Sequence, residues 1–524
     1  MTLDFRLALI LSGASGFIAL AHEIVWSRVY NLTSGSSAQA LGMMLGGYLV
    51  GLALGSLLSR RWQDERYGGP AQLRTLARLV LGANVAAFLL VPAISWLVVW
   101  LEWPHTLPLL AGTAALLGAG FPLLCHLAIP ADRESGARLS YLYLANIVGS
   151  GLGSLLTGFG LMQWFALWQI AAGLLVAAVG LAGLVARLAG PVPRRDAALC
   201  LVALLLATTA PQLYAHLYER LQYKAEALRR PPFTEVIESR HGVITIEDNR
   251  VIYGSGIYDG LLDTSPRTGG GLYRPYFISA LHPAPREVLV VGMSGGAWAK
   301  VIAHNPGVDK VTVVEISEGY LQLIARHRVV SDLLTDPKVT IAIDDGRRWL
   351  RRHPDRRFDV VVMNTTFYWR EFASAILSRE CLELVKAHLK PGGFVMWNCT
   401  GSDRAIKTGM EVFPHTLMLG NNCVGSEAPL AIDADRWRSV LAAYRMDGRP
   451  VFDLATPAGR ADLEAMLAIA TDPQAYHDNI QNRAQMAALY GGARIITDDN
   501  LGHEYKFTLT DTARLRQLLF LDRR

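Results

Sequence analysis

No lysine occurs before Lys224, and residues 1 to 214 hold only 8 acidic side chains beside 12 arginines. A stretch so poor in charge lacks what a solvated surface needs. The remainder carries 38 basic and 37 acidic residues, a near balance that argues against nucleic acid as a partner. Cysteine is scarce as well. Cys125, Cys200, Cys381, Cys399 and Cys423 form no Cys-x-x-Cys pair, which excludes a disulfide framework or a thiolate metal site and leaves small buried hydrophobes. The first apolar run lacks a small-residue cleavage site, so no removable signal peptide is expected. What is abundant is apolar mass: 51% hydrophobic residues and a mean hydropathy of +0.25 over 524 residues. That length calls for two or more domains.

The apolar mass is concentrated. A bilayer core about 30 Å thick needs about 20 apolar residues per helix. Seven stretches qualify, near 6–31, 36–59, 77–101, 106–129, 139–162, 165–187 and 196–214, and Pro211 and His216 trim the last. Arg6, Arg60, Arg61, Arg66, Arg74, Arg78, Arg133, Arg138, Arg187, Arg194 and Arg195 fall on one side and only Arg28 on the other. The positive-inside rule then sets a multi-pass protein of the inner (plasma) membrane with its N-terminus in the cytoplasm. Seven spans would put the C-terminal half outside. Trp96, Trp100 and Trp103 fit an interfacial belt. Gly47, Gly51 and Gly55 recur every four residues, a face that suits close helix packing and is compatible with a homodimer. Val148–Leu156 echoes Val50–Leu58 at seven of nine positions. Chance recurrence of packing glycines is the plainer account, and an inverted transporter repeat the bolder one. His22 and Glu23 lie within the first span, where an ionisable pair is either functional or paired structurally, for instance with Arg28.

Pro231-Pro232 closes a charged linker. The expected domains are a transmembrane helical domain (1–215), a linker (216–232), a small β region (233–275), a Rossmann-like nucleoside-binding domain (276–430), and a C-terminal helical extension and tail (431–524). Val243–Ile246 and Val251–Tyr253 flank a Glu-Asp-Asn turn, a hairpin signature, and this region is placed to roof a neighbouring site. Arg267 to Gly271, with three consecutive glycines, reads as a mobile loop.

Val288 to Val291 is a buried parallel strand that breaks at Gly292, Gly295 and Gly296, where backbone approaches a ligand closely at a helix N-terminus. A second strand, Lys310 to Val314, ends in Glu315, a carboxylate suited to two ribose hydroxyls. A third, Val339–Ile343, leads into Asp344, Asp345 and Gly346, where Asp345 is suited to an adenine amine. Phe358–Met363 is a fourth strand ending at Asn364. Leu384 to Leu389 completes a helix, and the Lys390-Pro-Gly-Gly393 turn leads into the strand Phe394–Trp397. Strands alternating with helices predict a doubly wound parallel sheet with ligands at the strands' carboxyl ends.

From about 230 to 430, the order of these motifs resembles the polyamine aminopropyltransferases (spermidine synthases), a branch of the S-adenosylmethionine-methyltransferase-like fold. Gly16 through Arg28, Gly51–Gly55 and Thr497–Tyr505 resemble the membrane-embedded branch fused to such domains. The resemblance implies S-adenosylmethionine or its decarboxylated form as substrate, no metal, and transfer of an aminopropyl group to a small-molecule amine with release of methylthioadenosine. The departures concern the chemistry. Asn364 stands where the family's proton-accepting Asp stands. The family's Tyr-His-Glu motif is missing, with Tyr273, Arg274 and Tyr276 in its region. The glycine turn lacks its acidic member, which favours a ligand that keeps its carboxylate. Asn364 and Tyr273 are then expected to orient the acceptor, with Asp498 or Glu504 as base. The alternatives are a methyltransferase or a non-enzymatic nucleoside-binding transporter or sensor. Supply of the nucleoside favours the cytoplasm for the soluble half and the seven-span charge count favours the outside, so its side is left open.

Overall fold

A computed structural model describes residues 3–63, 69–267, 272–364, 367–368, 370–502 and 504. The chain divides into two compact units, the first ending at Pro232 but also taking in Glu238–Val243.

The first unit is helical. Among the described residues, six helices are long and apolar enough to cross a membrane: Phe5–Thr33, Ala38–Trp62, Gly69–Leu97, Trp103–Ala128, Ser135–Trp164 and Leu167–Leu188. The stretch expected as the seventh span is a pair, Arg194–Thr208 and Ala210–Leu228, bent by 57°, which meets the same length and hydropathy test only if taken together as one span. Glycine sets the packing. A Cβ on Gly55 would lie 1.8 Å from the Ala115 carbonyl oxygen, and one on Gly149 would lie 1.9 Å from that of Gly13. The two echoing segments are thus both contact faces, each pressed against a different helix. Arg66 in the charge count lies outside the described residues.

The second unit begins with a four-stranded antiparallel sheet of β1 (Glu235–Ser239), β2 (Gly242–Glu247), β3 (Val251–Gly254) and β4 (Ile257–Leu261). The expected hairpin is β2–β3, with Glu247 opposite Val251. Its turn places Asp248 and Asn249 at φ 51° and 53°, a left-handed region these two residue types tolerate well.

The main sheet comprises β5 (Glu287–Val291), β6 (Lys310–Glu315), β7 (Val339–Ile343), β8 (Phe358–Met363), β9 (Leu389–Asn398), β10 (His415–Leu419) and β11 (Asn422–Ser426). A two-residue ribbon, β12 (Arg445–Met446) and β13 (Arg449–Pro450), stands apart, and β14 (Ile480–Asn482) closes the edge. Sheet order is β14-β10-β11-β9-β8-β5-β6-β7. Strands β5 to β9 pair in parallel as expected, but β11, β10 and β14 add antiparallel. The sheet is therefore mixed rather than wholly parallel, and the segment after 430 contributes a strand as well as helices. Helix Arg379–Lys386 ends before the expected Leu389, because β9 already begins there. All six residues of β8 are buried, as a central strand covered on both faces requires.

Candidate active site

The loop after β5 adopts positive φ three times in five residues, at Gly292 (82°), Ser294 (51°) and Gly296 (81°). Ser294 is the unexpected one. Its left-handed backbone costs about 1–2 kcal/mol for a residue with a Cβ, and its Oγ donates to the Asp259 carbonyl at 2.6 Å, anchoring the loop to β4. Gly295 is required by a different constraint: a Cβ there would lie 2.1 Å from Ile252 Cδ1 on β3. The small sheet therefore covers the glycine turn. A Cβ on Gly292 would meet the Asn364 carbonyl oxygen at 2.7 Å, which brings the ends of β5 and β8 together.

Glu315 is 3% exposed. Its Oε2 accepts from the Met293 N–H at 2.7 Å and its Oε1 from the Ser317 N–H at 2.8 Å. Burial pushes its carboxyl above the ordinary range, against the pull of those two amides. Each oxygen keeps a lone pair for a hydroxyl, so the ribose role fits, while the carboxylate's first task is to tie two loops.

Asp345 caps helix Gly346–Arg352, its side chain accepting from the Arg348 N–H at 2.8 Å. Asp344 pairs with Arg348 and, at 3.5 Å, with Arg352, and its carboxyl is held below the ordinary range by Arg348 and the Asp345 N–H despite partial burial. Gly346 packs under β5: a Cβ would lie 2.6 Å from Val291 Cγ1. Asp344 is thus engaged by arginines, and Asp345 commits one oxygen to its cap.

A pocket opens beside the glycine turn, lined by Met293, Ser294 and Gly295 together with Asn364, Asn398, Thr400 and Asn421 at the carboxyl ends of β8, β9 and the β10–β11 turn. Asp259 and Arg274 supply its charged side chains. Asp259 accepts a hydrogen bond from the Tyr320 hydroxyl, and burial raises its carboxyl above the ordinary range against the nearby Arg370, Tyr320 and Ser294. Sequence reasoning passed over Asp259. The only available signal was its position between the glycines that close the hairpin, and its partner lies 61 residues away.

Of the residues expected to do chemistry, Asn364 lines this pocket and Tyr273 does not. Tyr273 stands behind it, its hydroxyl where a Cβ on Gly420 would be at 2.2 Å and its ring 5.7 Å from the Arg274 guanidinium. Asp498 is spent elsewhere. It forms a two-point pair with Arg347 at 2.8 Å and accepts from Ser378 at 2.7 Å, which holds its carboxyl down at about 2. A carboxylate so stabilised is a poor proton acceptor. Glu504 is buried and accepts from the Ser374 N–H at 2.6 Å. Neither lines the pocket; both fasten the C-terminal segment. Thr365, Thr366, the glycine loop 268–271 and Tyr505 lie outside the described residues.

Residues 277–402 match the model of the spermine/spermidine synthase domain. That segment is similar to spermine/spermidine synthases. A polyamine aminopropyltransferase of Mycobacterium tuberculosis is 26% identical over 403 residues, covering 72% of this chain and 74% of that protein. Polyamine aminopropyltransferase 2 of Streptomyces coelicolor is 27% identical over 403 residues, covering 71% and 70%. These alignments are longer than the second unit, so the likeness extends into the helical one. Spermidine synthase of Dictyostelium discoideum is 34% identical over 122 residues, 22% of this chain and 41% of that one. The crystal structure of spermidine synthase from Thermotoga maritima superposes with a TM-score of 0.34 at 18% identity, over 44% of this chain and 88% of that chain.

Proposed function

We propose that the second unit is an aminopropyltransferase-like enzyme that alkylates an amine with the arm of a sulfonium nucleoside, decarboxylated S-adenosylmethionine in the family pattern, and that it is carried on a membrane-embedded helical unit. The observation that carries this reading is Asp259. It is the acidic residue lining the pocket, its carboxyl is raised above the ordinary range, and it stands with Asn364 beside the glycine turn.

The chemistry needs little from the protein. The sulfonium is already an electrophile, so the enzyme's tasks are to align the reactants and to deliver an uncharged amine. Asp259 takes a proton from the acceptor ammonium. The freed lone pair attacks the carbon attached to sulfur, the carbon–sulfur bonding pair returns to sulfur, and neutral methylthioadenosine leaves. A carboxyl raised by burial is a stronger base than an ordinary one and so holds the abstracted proton more tightly. Asn364 lacks a proton-accepting oxygen of that kind, and its amide is suited to orienting the acceptor. Glu315, Gly292 and Asp345 hold the nucleoside.

The test is mass spectrometry of the detergent-purified full chain incubated with S-adenosylmethionine or its decarboxylated form, with and without putrescine. Amine-dependent methylthioadenosine is the expected product. S-adenosylhomocysteine would make the protein a methyltransferase instead. Bound nucleoside without any product would favour a sensor or transporter.

A further inference from the structure

A pocket for a dication should be lined by several carboxylates, and among the described residues this one has only that of Asp259. Its wall carries a guanidinium, Arg274, and three amides, Asn364, Asn398 and Asn421, while Asp259 is already bonded to Tyr320. Arg274 is held in place rather than neutralised. One nitrogen donates to Asn422 Oδ1 at 2.6 Å, and the guanidinium carbon lies 5.3 Å from the Trp298 ring centroid. Among the described residues no carboxylate pairs with it, and the nearby ionisable groups that favour its charge are the phenols of Tyr273 and Tyr258. Its Nε is buried without a hydrogen-bond partner. A second group in the same pocket is also incomplete: Asn421 Oδ1 is buried and unpartnered, while its amide nitrogen is engaged by Thr400. A half-buried cation without a counter-charge is costly until an anion meets it, and a guanidinium meets a carboxylate with two parallel bonds. An orphaned amide oxygen calls for an N–H donor. Together the two groups are the complement of an ammonium and a carboxylate carried on one small molecule.

We infer that the pocket takes a substrate with an amino-acid head, its carboxylate seated on Arg274 and its ammonium toward Asn421. This rests on the transfer reading above and names the substrate class that reading leaves open. The head has two sources. If it belongs to the nucleoside, the sulfonium is intact S-adenosylmethionine and the arm transferred is 3-amino-3-carboxypropyl. The electron count is unchanged: the acceptor's lone pair forms the new bond to carbon, the carbon–sulfur pair returns to sulfur, and Asp259 holds the proton. If the head belongs to the acceptor, the nucleoside is decarboxylated and the acceptor is an α,ω-diamino acid rather than a diamine.

Titration calorimetry on the full chain in detergent separates these. Three probes share one nucleoside: methylthioadenosine without a charged tail, decarboxylated S-adenosylmethionine with an ammonium, and S-adenosylmethionine with both groups. For the nucleoside source, the wild type binds the last about tenfold or more tighter than the second. Arg274→Gln brings that ratio to about one and leaves methylthioadenosine affinity unchanged. For the acceptor source, the wild type with decarboxylated nucleoside releases methylthioadenosine with a higher kcat/KM for ornithine than for putrescine, and Arg274→Gln reverses the order. A wild type indifferent in both arms overturns the inference, as does an Arg274→Gln variant that keeps the preference. An equal loss of all three nucleosides in that variant also overturns it, since Arg274 would then only brace the fold. The calorimetric arm needs no turnover. Absence of product with a preserved binding ratio would therefore sink the transfer reading alone, and normal product with flat preferences would sink only this one.

Discussion

The Glu315 carboxylate accepts the backbone N–H of Met293 at 2.7 Å, and its other oxygen that of Ser317 at 2.8 Å, so one side chain joins the loop after β5 to the loop after β6. Glu315→Gln keeps the shape but turns an NH2 group toward one of these amides. A buried N–H left without an acceptor costs about 1–3 kcal/mol. The variant should melt several degrees lower and bind methylthioadenosine more weakly, read by thermal unfolding and calorimetry. Unchanged melting and affinity would show that the two loops hold themselves.

Asp259 ties the reaction to pH. Its carboxyl is raised from 3.8 by burial, and the reaction needs its charged form, so kcat should fall as pH drops through that raised value, above the ordinary carboxylate range. Asp259→Asn should abolish this limb and lower kcat by about 10²–10⁴. Stability runs in the opposite direction. A folded pKa above the unfolded one means the folded state binds more protons, so its contribution is complete below 3.8 and is lost as pH rises through the folded value. Melting curves of the wild type should show that loss and those of the variant should not. A pH–rate profile identical in both proteins would remove Asp259 from the mechanism.

Asp498 behaves inversely. The Arg347 pair and the Ser378 hydroxyl hold its carboxyl at about 2, against 3.8 for the free group. The stability this supplies is present above 3.8 and is lost as pH falls toward 2. With Asp498 39% exposed, solvent screening leaves about 1 kcal/mol of it. Asp498→Asn should therefore lower the melting point slightly at neutral pH and speed proteolysis of the C-terminal segment, with transfer activity retained. A collapse of activity with a normal melting point would restore Asp498 as a catalytic group.

How much of this was legible in sequence follows from how local each signal is. Strands β5, β6, β7 and β8 are runs rich in β-branched and aliphatic residues, the first three ending at glycine or a carboxylate and the fourth at Asn364, and each stands where its run does. The β2–β3 hairpin was legible for the same reason. Strand β11 was not, because Asn422, Cys423, Gly425 and Ser426 carry little strand preference and are buried by the neighbours on either side. The positions of Glu315 and Asp345 follow from topology. That Asp345 caps a helix is a local contact with the N–H three residues on, whereas Asp498 meeting Arg347, 151 residues away, depends on tertiary approach that no local pattern encodes. Asp259 and Arg274 were hidden likewise: one reads as turn punctuation, the other as a lost motif.

The glycine faces of the helical unit give a direct test of close packing. A Cβ on Gly149 would sit 1.9 Å from the Gly13 carbonyl oxygen, and backbone cannot yield as a flexible side chain would. Gly149→Ala should therefore separate the two helices at a cost of about 1–3 kcal/mol. Gly151→Ala, one turn-face away with nothing within 4 Å, should be tolerated. Thermal stability of the detergent-purified variants checks the contrast. Equal behaviour of the two would leave the recurring glycines without a packing role.

The number of crossings decides where the second unit works. Arg194–Thr208 has 15 residues, about 22 Å at the helical rise of 1.5 Å per residue, short of a bilayer core of about 30 Å. Its continuation turns away by 57°. We propose that this pair lies at or within one face of the membrane without crossing it. Six crossings with a cytoplasmic N-terminus then return the second unit to the cytoplasm, where S-adenosylmethionine is made, and the 11-to-1 arginine asymmetry is kept through Arg194 and Arg195. A fluorescent protein fused after Arg524 should fluoresce, and alkaline phosphatase fused there should be inactive. An active phosphatase would mean that the broken pair spans after all, and that the nucleoside must be supplied from outside.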